Sequence, residues 1–171
     1  MNFNIRVYAL ITNEKEEILL ADEEYLGKRF TKFPGGGLEW GEGIYDALQR
    51  EAQEELHQGL THAKHFYTTD FFQQSSFKET DQLISVYYTA ELSKPEDLLL
   101  GEFPFDFTHG KPSFRWVKIS ELRREDLKFP IDKLMLEKLK KSIKWKKKKV
   151  ILPKEKYKQS FNRFYLFFLL L

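Results

Sequence analysis

Three consecutive glycines, Gly35–Gly37, sit in the segment Phe33–Trp40 (FPGGGLEW), just ahead of a run with helical periodicity. A Pro followed by three glycines cannot lie inside a helix. It offers the backbone freedom that a tight, ligand-approached turn requires. From Ile44 to Leu56 the period changes: Ile44, Ala47, Leu48, Ala52 and Leu56 fall near helical spacing, with strong helix formers between them. Gly59 is the expected stop. The chain must therefore turn sharply and then run into a helix, and this helix carries the most informative side chains.

Glu51, Glu54 and Glu55 stand at i, i+3 and i+4, which puts three carboxylates on one helix face. Like charges at this spacing cost a helix roughly 0.2–0.5 kcal/mol per pair, a cost without structural return unless something positive sits there. Hard oxygen ligands converging on one point suit Mg²⁺ or Mn²⁺, which keep several waters and borrow further ligands from substrate phosphates. Arg50, the preceding residue, can orient a carboxylate through a bidentate pair. A solvated acidic face is the simpler account of three glutamates taken alone. The flanking residues reverse that preference. Gly36, Glu42, Arg50, Glu51, Glu54 and Glu55 specify six positions, and at a usage of about one in fifteen per residue type a chance match is on the order of one in ten million per starting position.

These residues resemble the Nudix box, G-x5-E-x7-R-E-U-x-E-E-x-G-U, through Gly36, Glu42, Arg50, Glu51, Ala52 (at the apolar U place), Glu54 and Glu55. The pattern departs at its end. His57 stands where the family has Gly, and Gly59-Leu60 follow two residues later, past all of the glutamates. The resemblance extends over about residues 3–140, through strands ahead of the box, Phe33-Pro34-Gly35-Gly36 and the late Arg115-Trp116-Val117. It implies an α/β (α+β) fold: a Nudix-like α/β/α sandwich with a mixed β-sheet flanked by helices. It also implies hydrolysis of a phosphoanhydride bond in a nucleoside diphosphate linked to another moiety, with nucleotide sugar, ADP-ribose, dinucleotide and NTP types all open.

By the same resemblance, Glu51, Glu54 and Glu55 bind Mg²⁺ or Mn²⁺, and the catalytic set is Glu51, Glu54 and Arg50. Glu51 is the first choice of base for the attacking water. Glu42 holds Arg50, while Gly36 and Gly37 let backbone approach phosphate or metal. The family often adds an acid from a distant loop. Of Glu79, Asp81, Glu102 and Asp106, the choice is Glu102, against the plainer account of a solvated loop charge. The alternative function is a catalytically silent, nucleotide-sensing module; a box that keeps all three glutamates favours catalysis.

Elsewhere the pattern reads as a mixed fold. Asn4–Ile11 and Glu17–Ala21 are short apolar strands around a turn, and Asp22–Lys32 is polar and expected as a loop. Lys64–Gln73 and Leu83–Leu92 are aromatic and β-branched strands. The segment 93–112 is a long loop, Ser113–Ile119 a last strand, and Ser120–Leu127 a short helix capped by Ser120. Pro130 opens an amphipathic helix to about Trp145. Strands lie on both sides of the first helix, so regular βα alternation is not expected. Aromatic residues are mostly core, and His57, His62, His65 and His109 show no ligand spacing with one another. Arg6, Lys28 and Arg29 are candidates to meet phosphates, with solvated charge the simpler account.

The charge is divided. Residues 1–137 carry 16 Lys+Arg against 25 Asp+Glu, and residues 138–171 carry 12 against 1. The acidic body argues against a nucleic-acid footprint and suits a small-molecule nucleotide held through a cation. The chain reads as a domain over 1–145 with a basic and apolar extension over 146–171, expected to be poorly ordered. Its last residues, FYLFFLLL, are too few to span a bilayer; contact with an anionic membrane surface is the lesser expectation there. The absence of cysteine excludes disulfides, thiolate zinc sites and a cysteine nucleophile. With no signal peptide legible at the N-terminus, the expected location is cytoplasmic. A homodimer is left open.

Overall fold

A computed structural model describes residues 2–151, with side chains described to Trp145. In chain order the elements are β1 (Asn2–Ile11), β2 (Glu17–Tyr25), β3 (Lys28–Lys32), β4 (Gly35–Gly37), α1 (Ile44–Leu56), β5 (Leu60–Thr68), β6 (Asp81–Leu92), β7 (Ser113–Lys118) and α2 (Pro130–Ile151). Short 3₁₀ turns lie at Pro95–Asp97 and Arg124–Asp126. Two sheets result. One is mixed, in the order β4-β1-β6-β5, with β1 and β6 parallel and the other pairs antiparallel; the second is antiparallel, in the order β3-β2-β7.

Val7, Ala9 and Ile11 of β1 join Leu19 and Ala21 of β2, Ala47, Leu48, Ala52 and Leu56 of α1 and Phe114 of β7 in one apolar cluster. The alternate β1 residues Tyr8 and Leu10 are buried as well, so the strand is covered on both faces. This is why Asn4–Ile11 reads as a nearly continuous apolar run and not as an alternation. The expected mixed α+β architecture is the one observed.

Several expectations are corrected. Asp22–Lys32 is not a loop: β2 continues to Tyr25 and returns as β3, with Tyr25 paired to Lys28 across Leu26-Gly27. Both turn residues have positive φ, 51° and 71°, as a primed two-residue hairpin turn demands. Leu in such a turn is a poor signal, which hid the hairpin. The glycine segment is also a strand, since β4 pairs with β1 at Tyr8↔Gly35, Val7↔Gly36 and Arg6↔Gly37. Strand β5 covers Leu60–Thr68, displaced toward the N-terminus from the expected Lys64–Gln73. Ser120–Leu127 forms only the 3₁₀ turn Arg124–Asp126 and no helix.

Helix α1 covers Ile44–Leu56 as expected, starting after an extended Gly43 whose N–H donates to the Asp46 carboxylate at 3.2 Å. It stops before Gly59. His57 closes it in the left-handed conformation, φ 56°, the place and conformation for which glycine is preferred. At the departure from the box, a histidine thus takes up the terminating geometry in the place of the glycine.

Residues up to Leu136 form one compact unit, and from Glu137 the chain belongs to a second. Helix α2 runs to Ile151, beyond the expected end near Trp145. Among the described residues no helix is long and apolar enough to cross a membrane. Residues 152–171 and the side chains of 146–151 lie outside the described part, and with them the expectations for the basic and apolar extension.

Candidate active site

Strand β4 lies against α1, and the contact turns on two residues. A Cβ built on Gly36 would overlap the Glu51 carboxylate. Gly36 is thus the wall of a cradle in which Glu51 sits, and any side chain there would displace it. Gly35 is fixed by its neighbours: with φ at 125° and β1 backbone packed against it, no L-side chain fits. Its N–H donates to Glu55 Oε2 at 3.0 Å. Of the two glycines expected to admit a ligand, Gly36 first admits a helix carboxylate, whereas Gly37 faces Arg6.

Arg50 joins the site together. Its Nε and Nη2 donate to the two carboxylate oxygens of Glu42 at 3.0 and 2.8 Å, and Nη2 also donates to the Gly37 carbonyl at 2.8 Å. Nη1 reaches Glu51 and Glu54, each at 3.1 Å. The Arg50 fork holds the Glu42 carboxyl below the usual carboxylate range, aided by the Glu39 N–H, and these carboxylates in turn raise the guanidinium pKa. Glu51 and Glu55 are largely covered, at 13% and 14% side-chain exposure, whereas Glu54 is open at 58%.

Lys32, expected in a loop and not among the candidate site residues, belongs to this site. It is buried at the end of β3, and Nζ donates to the Gly35 carbonyl and pairs with Glu23 at 2.8 Å and Glu55 at 3.5 Å. Burial opposes its charge, but Glu55 and Glu23 outweigh that and raise its pKa. Burial likewise pushes the Glu55 carboxyl up, against the pull of Lys32 and the Gly35 N–H. The signal existed in principle: once Asp22–Lys32 is a hairpin, the register Ala21↔Lys32 and Glu23↔Phe30 brings Lys32 and Glu23 to one face.

No group of three or more His, Asp and Glu side chains among the described residues stands in a metal-binding array. The reason is visible in their partners: Glu51 and Glu54 turn to Arg50, and Glu55 to Lys32 and the Gly35 N–H. The donor chemistry nevertheless fits a hard divalent cation. Three carboxylates share one helix face, and Glu51 occupies a cradle kept open by the absence of a Cβ at Gly36. Glu102 is exposed, and its backbone N–H donates to Asp106 Oδ2 at 3.0 Å. Its neighbour Gly101 lines a small cavity of ≈ 270 Å³ together with Glu54, Glu55, His57 and His109. Asp81 faces a different cavity, and Asp106 is buried in its own loop with Thr108.

That other cavity, ≈ 410 Å³, is lined by Lys32, Arg6, Tyr8, Phe30, Ser85 and Asp132 among others. Gln73 Oε1, Ser85 Oγ and Asp132 Oδ2 are buried without a hydrogen-bond partner, and all three residues line this cavity. Leaving such atoms unmatched costs about 1–3 kcal/mol each. Asp132 Oδ1 accepts from the Tyr87 hydroxyl at 2.7 Å, and burial pushes the Asp132 carboxyl up to about 7. Cationic and aromatic side chains thus share this cavity with unmatched polar atoms.

A helix bearing clustered carboxylates, a glycine strand that cradles one of them and a cavity between two sheets define a hydrolase architecture shared with known proteins. The chain belongs to the NUDIX domain family, whose model matches residues 2–139, and it is a Nudix-type hydrolase. Among solved structures it resembles a NUDIX hydrolase from Nitrosomonas europaea at TM-score 0.62 and 19% identity, over 81% of this chain and 89% of that one. A MutT protein from Methanosarcina mazei Go1 is similar at TM-score 0.59 and 19% identity, over 84% and 96%. A MutT NUDIX hydrolase from Burkholderia pseudomallei is similar at TM-score 0.56 and 21% identity, over 80% and 97%. No protein with a curated description matches the chain.

Proposed function

We propose that this chain hydrolyses a phosphoanhydride bond in a nucleoside diphosphate linked to another moiety, with Mg²⁺ or Mn²⁺ as cofactor. The observation that carries the proposal is the cradle of Gly36 around the Glu51 carboxylate, on the helix face shared with Glu54 and Glu55. A purely structural acidic face needs no such fitted space.

Glu51, Glu54 and Glu55 would hold the cation. When bound, it supplies charge neutralisation of the diphosphate and acidifies a coordinated water. The chain's own residues do the rest. Arg50 fixes where Glu51 and Glu54 point, and Glu42 fixes Arg50. Glu51, released from Arg50, accepts the proton of the attacking water. The water oxygen bonds to one phosphorus, the bridging P–O bond breaks, and the pair of electrons leaves with the bridging oxygen as a phosphate monoester. Placement and electrostatics suffice for such a transfer. The nucleoside enters the cavity between the sheets, where Gln73, Ser85 and Asp132 offer unmatched polar atoms.

Glu54→Gln and Glu55→Gln test the assignment. Each is expected to abolish cation-dependent turnover while leaving the melting temperature within a few degrees of wild type. Full activity in both variants overturns it.

A further inference from the structure

Arg6, Lys32 and Lys78 line the inter-sheet cavity, and Lys78 is paired with Asp81 at 3.2 Å. Lys32 is satisfied by Glu23, Glu55 and the Gly35 carbonyl. Arg6 is not. Its Nε donates to the Tyr8 hydroxyl at 3.3 Å, and among the described residues its Nη1 and Nη2 have no hydrogen-bond or ion-pair partner. The guanidinium is half-buried, and with Nε engaged its four Nη donors are too many to leave idle in a site partly withdrawn from water.

Its position is equally specific. Arg6 pairs with Gly37 across β1 and β4, one residue from the glycine that cradles Glu51. Nη1 lies 3.4 Å from where a Cβ on Gly37 would be, so the guanidinium stands directly beside the glycine strand. The negative charges of Glu51 and Glu23 act on Arg6 from nearby, together with Tyr8, and keep it charged against the effect of burial. Tyr8 holds the Nε edge, which presents the two Nη groups together as a fork.

We propose that Arg6 is the diphosphate-gripping residue of this hydrolase, its Nη1 and Nη2 donating in bidentate fashion to non-bridging oxygens of a phosphate seated between Glu51 and the inter-sheet cavity. The inference rests on the hydrolase reading above and adds the residue that binds the anion directly. A fork of this kind matches phosphate geometry, and a point charge does not replace it.

The test is calorimetric titration of the full chain with the non-hydrolysable α,β-methylene diphosphates of adenosine and guanosine in Mg²⁺. Arg6→Gln is expected to weaken the tighter of the two at least tenfold. Arg6→Lys, which keeps the charge and loses the fork, should weaken it three- to tenfold with the melting temperature retained, and it carries the test if Arg6→Gln does not fold. Wild-type affinity in either folded variant overturns the inference, as does a wild type that binds neither compound. The two readings fail separately. Active protein whose Arg6 variants bind normally refutes the grip alone; Arg6-dependent binding by protein that cleaves nothing refutes the hydrolysis alone.

Discussion

Arg50 and Glu42, eight positions apart, are joined by two parallel hydrogen bonds, Nε to Oε2 at 3.0 Å and Nη2 to Oε1 at 2.8 Å. The remaining Nη1 of the same guanidinium reaches both Glu51 and Glu54. One side chain therefore sets the loop ahead of the helix and two carboxylates on it. Arg50→Lys keeps the charge and loses the fork. Turnover is expected to fall at least tenfold with only a small drop in melting temperature. Unaltered kcat in this variant would show that Arg50 does not position the glutamates.

Gly36→Ala places a methyl group into the Glu51 carboxylate. The carboxylate must move by about the size of that group, and displacement of a reacting group by about 1 Å costs on the order of a hundredfold in rate. The expected result is a kcat loss of tenfold to a hundredfold in a folded protein. Circular dichroism and steady-state kinetics on the same sample separate this from misfolding.

His57 closes α1 in the left-handed conformation. A non-glycine residue there costs about 1 kcal/mol or more. His57→Gly is expected to raise the melting temperature by roughly 2–4 °C at this chain length. A fall in melting temperature would mean that the histidine side chain contributes more than its backbone costs.

Much of this site was legible before any coordinates, and the reason is local. The spacing of Gly36, Glu42, Arg50, Glu51, Glu54 and Glu55 lies within one strand, turn and helix, and helical periodicity alone placed Ile44–Leu56 correctly. Lys32 and Glu23 were not found, and Arg6 stood only as one of three candidates to meet phosphates, because their meaning depends on strand pairing. Lys32 meets Glu23 only through the β2–β3 register, and Arg6 meets Gly37 only through β1–β4. Asp22 shows the same limit. It reads as a loop acid, yet it is fully buried, paired with Arg115 at 2.7 Å, and accepts from Thr31 and the Phe105 N–H. Partners so far away in sequence leave no periodic trace.

Asp132 makes stability depend on pH in a definite direction. Burial lifts its pKa from an ordinary 3.8 to about 7. Below about 4 both folded and unfolded states hold the proton, and the group is neutral to stability. As pH rises toward 7 the unfolded chain releases the proton and the folded chain keeps it, so stability falls across that window, by at most roughly 4 kcal/mol. Asp132→Asn can still accept from Tyr87 and has no proton to lose. Its melting temperature should exceed that of wild type at pH 8 and converge with it near pH 4. Parallel curves for the two proteins would contradict this.

Cation-dependent cleavage of a nucleoside diphosphate derivative is the activity proposed for this site. The most direct measurement incubates the full chain with a nucleotide sugar, ADP-ribose, a dinucleoside polyphosphate and nucleoside triphosphates, in Mg²⁺ and in EDTA, and scores release of nucleotide and phosphate. Cleavage of at least one of these is expected in Mg²⁺, with none in EDTA and none by Glu54→Gln. Failure to cleave any of them, in protein that still binds nucleotide, would contradict it and favour a sensing module.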